Sequence, residues 1–70
     1  MHNDTDTPAP ERERLLRIRD VLDRTAMSRS AWYALIAQNK APAPVKVGAA
    51  ARWPESVVDA WIRRQVESEG

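Results

Sequence analysis

Apolar residues fall in short groups along the chain, and the spacing within each group changes from one stretch to the next. From Ile18 they recur at Val21 and Leu22, with Arg19, Asp20, Asp23 and Arg24 filling the other positions. This i, i+3, i+4 pattern marks one helical face and predicts a first helix of about two turns. Ahead of it, Arg14-Leu15-Leu16-Arg17-Ile18 is short and rich in branched side chains and reads as a brief extended segment. Ser28 follows a break at Thr25-Ala26-Met27 and is suited to cap a second helix, because its hydroxyl can accept from a free amide of the first turn. No full capping box is expected, since Ala31 stands where Glu or Gln would be needed.

That second helix should run from about Arg29 to Gln38. Trp32, Leu35 and Ile36 share one face; Arg29, Ser30, Tyr33, Ala34 and Ala37 lie on another. Asn39 tolerates the left-handed conformation that ends a helix, and Pro42 and Pro44 prevent its continuation. Val45-Lys46-Val47 then alternates at period two, Gly48 marks a turn, and Ala51-Arg52-Trp53 supplies a second extended run, together a β-hairpin. Pro54 suits the first turn of a third helix and Glu55 its positive end, with Val57, Val58, Trp61, Ile62 and Val66 as the buried stripe. Arg63 and Arg64 favour the C-terminal half of that helix.

Two short helices joined by a tight turn, a small hairpin and a packing helix give a mainly α fold in the order of a winged helix-turn-helix: three helices plus a wing. In such a unit the second helix enters the major groove, and its first turn approaches bases and phosphates. Trp32 falls on the inner stripe and is assigned to the core, with Trp53 and Trp61. Tyr33 lies about 100° further round the helix and should face outward with Arg29.

Composition sharpens this reading. Seventy residues make one small domain, and with no cysteine the apolar core must hold it without disulfides or a thiolate metal site. The stretch from Met1 to Glu11 has almost nothing apolar and is expected to be a mobile tail. The chain is accordingly divided into a disordered tail over 1–13, the DNA-binding domain over 14–67 and a frayed end over 68–70. His2, the sole histidine, lies in the tail with no second ligand near it, so no metal is expected. No signal peptide or membrane-spanning run is visible, and the protein is read as soluble and cytoplasmic.

The formal net charge of +1 conceals an uneven distribution. Between Arg14 and Trp53 stand eight basic residues, Arg14, Arg17, Arg19, Arg24, Arg29, Lys40, Lys46 and Arg52, against only Asp20 and Asp23, a net of +6. Clustered cations suit a polyanionic partner, because they release counterions from phosphates, although a solvated surface of scattered charges has the same composition.

The runs RLLRIRDVL, MSRSAWYALI, APAPVKVG and RWPESVVDAWI, from about Arg14 to Ile62, together resemble the AlpA family of small phage and prophage regulators, a branch of the excisionase and MerR-like winged helix-turn-helix proteins. The resemblance implies sequence-specific binding of double-stranded DNA, used to regulate phage or mobile-element genes or to assist excision alongside an integrase. Carried onto this chain, it gives the recognition-helix role to Ser28, Arg29, Ser30 and Tyr33, and backbone or wing contacts to Lys46 and Arg52. Lys40 joins this DNA-binding set as a basic residue of the same central stretch. Three positions depart from the family pattern: Ala26 replaces the usual turn glycine, Ala34 stands where a basic residue is frequent, and the tip Gly48-Ala49-Ala50-Ala51 lacks a common arginine.

An enzyme is not expected, since no nucleophile-base pair, glycine-rich phosphate loop or metal-ligand spacing is present, and no cofactor is implied. The competing reading is a protein-interaction module that uses the same fold to dock an acidic partner. Regulator and excisionase are not separable from sequence, because both need the same groove-reading unit. With no long coiled coil after the third helix, a monomer in solution that binds repeated sites cooperatively is expected, with a weak dimer as the alternative.

Overall fold

The computed structural model describes residues 13–69. The readings made for residues 1–12, His2 among them, and for Gly70 lie outside the described residues. The element order is β1 (Leu15–Leu16), α1 (Ile18–Thr25), α2 (Arg29–Ala37), β2 (Val45–Val47), β3 (Ala50–Pro54) and α3 (Glu55–Glu69). All three expected helices and the hairpin are present. The fold is mainly helical with one small antiparallel sheet, the arrangement of a winged helix-turn-helix.

The extended segment before α1 becomes a strand in its own right. The sheet order is β1-β3-β2, with Leu15 opposite Pro54 and Leu16 opposite Trp53 on one side of β3, and Val45 opposite Arg52, Lys46 opposite Ala51 and Val47 opposite Ala50 on the other. Pro54 therefore closes β3 rather than opening α3. It occupies a strand terminus, where its missing N–H is tolerated.

Each helix end has a local cause. The Asp20 carboxylate accepts from the Arg17 N–H at 3.2 Å at the start of α1, while Ala26 ends that helix in the left-handed region at φ 59°, ψ 32°. The Ser28 hydroxyl accepts from the Ala31 N–H at 3.2 Å, so the expected cap of α2 is present. At the far end Asn39 takes φ 61°. The Asn39 N–H donates to Ile36 at 3.0 Å and the Lys40 N–H to Leu35 at 2.8 Å, the paired bonds of a Schellman end.

The first turn of α3 is capped from a distance. Pro54 brings no side-chain acceptor, and the free amides are met by the segment entering β1: the Glu55 N–H donates to the Arg14 carbonyl at 2.8 Å, and the Ser56 N–H to a Glu13 carboxylate oxygen at 2.8 Å. The Ser56 hydroxyl donates to the other Glu13 oxygen at 2.7 Å. Glu13, counted with the tail on sequence, is thus a working part of the fold.

The core is Leu16, Val21, Trp32, Trp53, Val58 and Trp61. Trp32 sits between the other two indoles, edge to face with Trp61 at 5.2 Å and with Trp53 at 6.3 Å between ring centroids; such pairs contribute about 0.5–1.5 kcal/mol each beyond their area burial. The assignment of all three tryptophans to the interior holds. The stripe expected on α3 is shorter than its periodicity suggests, for Val57 is 40% and Val66 65% exposed. For Val66 the reason is length, since fifteen residues carry α3 beyond the small sheet and every residue from Arg63 to Ser68 is exposed; Val57, in the first turn, lies instead to the outer side of the buried Val58.

Candidate nucleic-acid interface

The candidate reading surface begins with the packing of α2. Trp32 is fully buried and Leu35 and Ile36 are half-buried against the core, which fixes the helix about its own axis. Arg29, Ser30, Ala31, Tyr33, Ala34 and Ala37 are then left exposed. With the Ser28 hydroxyl bonded to the Ala31 N–H, the first turn presents a serine-arginine-serine sequence at the positive end of a nine-residue helix. Small alanines complete the outer face, so the large side chains standing above the backbone there are Arg29 and Tyr33.

Tyr33 is both presented and supported. It is 40% exposed, yet its ring lies edge-on to Trp53 with 6.2 Å between centroids. One side of the phenol is thereby braced by the sheet while the rest faces solvent. Trp53 is itself held, since its indole N–H donates to the Pro42 carbonyl at 3.0 Å. The Trp61 N–H donates to the Lys40 carbonyl at 2.8 Å, so two core indoles tie down the connection from α2 to β2. Sequence reasoning named these tryptophans as core but missed this second use, because the acceptors are backbone carbonyls and leave no trace in side-chain pattern. The Trp32 indole N–H, by contrast, is buried without a partner among the described residues.

The remaining expected site residues do not form one group. Ser28, Arg29, Ser30 and Tyr33 lie together along the first half of α2. Lys40 is past the C-terminal end of the same helix, with its side chain exposed. Strand register separates the two wing cations. Lys46 pairs with Ala51, on the sheet face that carries Leu16 and Trp53 and therefore on the side of α2. Arg52 pairs with Val45 and lies on the opposite, outer face with Leu15, Pro54, Ala50 and Val47. Lys46 can thus act with α2, whereas Arg52 faces away from it.

Charge is also redistributed by folding. Arg24 on α1 reaches α3, where it donates to Asp59 at 2.8 Å and also to the Glu55 carboxylate. Arg14 approaches the same Glu55 at 3.9 Å. The Asp59 bond first, and then Glu55, raise the Arg24 pKa against a partial desolvation that lowers it. Two of the eight central cations are therefore paired by acids that sequence order placed in the flank. Arg29, Lys40, Lys46 and Arg52 have no ion pair among the described residues.

Two helices in a tight turn, an exposed and capped second helix and a small hairpin define a winged helix-turn-helix protein. Residues 14–66 match the family model described as the prophage CP4-57 regulatory protein (AlpA), and the chain belongs to that family of phage-type regulatory proteins. Comparison with curated proteins and with solved structures gives no match. Among the described residues no helix is long and apolar enough to cross a membrane.

Proposed function

We propose that the protein is a sequence-specific DNA-binding regulator that lays α2 in the major groove, as transcription factor, excisionase or both. The observation that carries this reading is the division of α2 into a buried Trp32 and an outward Arg29, Ser30 and Tyr33 at a capped N-terminus. A guanidinium there matches the paired acceptors of guanine, and the phenol suits a phosphate oxygen or a thymine methyl. Ser28 and Ser30 supply short hydroxyls for backbone oxygens. Lys46 reaches a flanking phosphate from the wing, and Lys40 one beyond the helix end. Arg52, on the other sheet face, is left out of this set. The ligand is double-stranded DNA in a cytoplasmic setting, with an integrase as protein partner if excision is the role.

A single small module buries only about 600–1,000 Å² of protein surface on DNA, so the protein is proposed to act as a monomer that binds repeated sites cooperatively. Selection of duplexes from a random pool by the full chain, followed by footprinting, tests the reading. Enrichment of one sequence, with protection lost in Arg29→Ala, supports it. Equal retention of all sequences, or no retention, refutes it. Excision assayed with integrase supplied then separates the two roles.

A further inference from the structure

Among the described residues, the outer sheet face leaves apolar side chains exposed around a cation, and the end of α3 leaves one valine exposed beside an anion. On the outer sheet face, Leu15, Val45 and Val47 are 45%, 44% and 51% exposed, and the register places Arg52 among them. Among the described strand residues no acid shares that face: its other members are Pro54 and Ala50. The second surface is the distal turn of α3, where Val66 is 65% exposed beside an exposed Glu67. Neither Arg52 nor Glu67 has an ion pair among the described residues.

These surfaces do not suit two-fold pairing of like with like. Two outer sheet faces brought together would bury a pair of Arg52 guanidiniums with no counter-charge, which is strongly unfavourable. Pairing through the open β2 edge, antiparallel about its centre, would oppose one Lys46 to another. A head-to-tail contact has neither defect, since valine meets valine and carboxylate meets guanidinium. We infer that the outer sheet face of one copy, Val45 and Val47 around Arg52, docks the distal turn of α3, Val66 and Glu67, from a second copy on the neighbouring DNA site. This rests on the DNA-binding reading above and names the contact that makes that binding cooperative.

The contact is small, and Arg63, one turn before Glu67, shares the field of that carboxylate. Both facts keep it weak between free molecules. On DNA the situation changes, because two copies held at adjacent sites meet at an effective concentration of about millimolar, enough to populate a contact too weak to see in dilute solution. The DNA-facing side of α2 stays open in each copy, because the docking face is on the other side of the sheet.

The test compares binding of the full chain to one selected site and to two copies of it at varied spacing. Expected for the wild type is a gain of about tenfold or more on the second site. Glu67→Arg should leave single-site affinity unchanged and abolish the gain. Arg52→Glu should abolish it as well, measured against that variant's own single-site constant. The double exchange, Arg52→Glu with Glu67→Arg, should restore it, an outcome that simple misfolding would not produce. Val66→Asp provides a second loss variant outside the ion pair. The inference is overturned, with DNA recognition intact, if one-site binding is normal but no spacing gives cooperativity, or if cooperativity survives either charge reversal. It is likewise overturned by a stable dimer without DNA. If no site is selected at all, DNA recognition itself fails and the inference falls with it.

Discussion

At the scale of single residues, conformation and exposure carry information that residue type alone does not. Ala26 shows this at the α1–α2 turn. An alanine in place of the usual turn glycine must either avoid a positive φ or accept strain, and Ala26 takes the second course at φ 59°. A Cβ in the left-handed region costs roughly 1 kcal/mol, so Ala26→Gly should raise stability by about that amount. For a domain of this size the melting temperature should rise by about 4–8 °C, read by thermal unfolding. Tyr33 illustrates legibility of the opposite kind: helical spacing alone put it on the outer face beside a buried Trp32. Its brace against Trp53 was not legible, because that contact joins α2 to a strand twenty residues later. Tyr33→Phe keeps the brace and removes the hydroxyl. It should weaken specific binding at constant melting temperature, whereas Arg29→Ala should cost about 1–3 kcal/mol and relax discrimination at one base pair.

Among the elements, the two that depend on tertiary partners were the least legible. β1 has two residues and no alternation of its own; it is a strand because Leu16 and Trp53 pair across it. The stripe of α3 has the right period through Val66, yet periodicity says nothing of where the neighbouring elements stop, and the helix outruns them. Its cap was hidden for a related reason, since Glu13 acts on Ser56 from 43 residues away. That cap predicts a pH dependence. Bonds from the Ser56 N–H, and then from its hydroxyl, hold the Glu13 pKa below its ordinary value of 4.5. The folded state thus favours the carboxylate, so the stabilisation is complete above about 4.5 and is lost as pH falls through the lowered folded value. Glu13→Ala should be less stable than the parent at pH 7 and approach it in acid, as measured by urea unfolding at both pH values. A constant difference at every pH would mean that the carboxylate charge plays no part in the cap.

For the whole molecule, the question is how many of its cations can meet a polyanion at once. Sequence order suggests a central block with a net of +6 between two acidic flanks. Folding does not preserve that block, because Glu55 and Asp59 return to Arg24 and Arg14. Arg52 is turned to the outer face and, by the register, away from α2. Of the other cations without an ion pair among the described residues, Arg29 at one end of α2, Lys40 past its other end and Lys46 on the wing belong to the α2 surface, while Arg17 and Arg19 stand at the start of α1. Salt dependence measures this directly, since each phosphate neutralised on duplex DNA contributes about −0.9 to the slope of log affinity against log salt. With Arg29 on a base and Lys40 and Lys46 on phosphates, a single bound copy should give a slope of about −2, far below what the eight central cations would produce together. Lys46→Ala should reduce its magnitude by about 1, and Lys40→Ala by a similar step, without altering which sequence is preferred. Arg24→Ala should leave the slope unchanged and destabilise the fold instead, because its charge is used between α1 and α3. A slope that falls equally for Arg24 and Lys46 would place the DNA against the α1–α3 side and remove α2 from the groove.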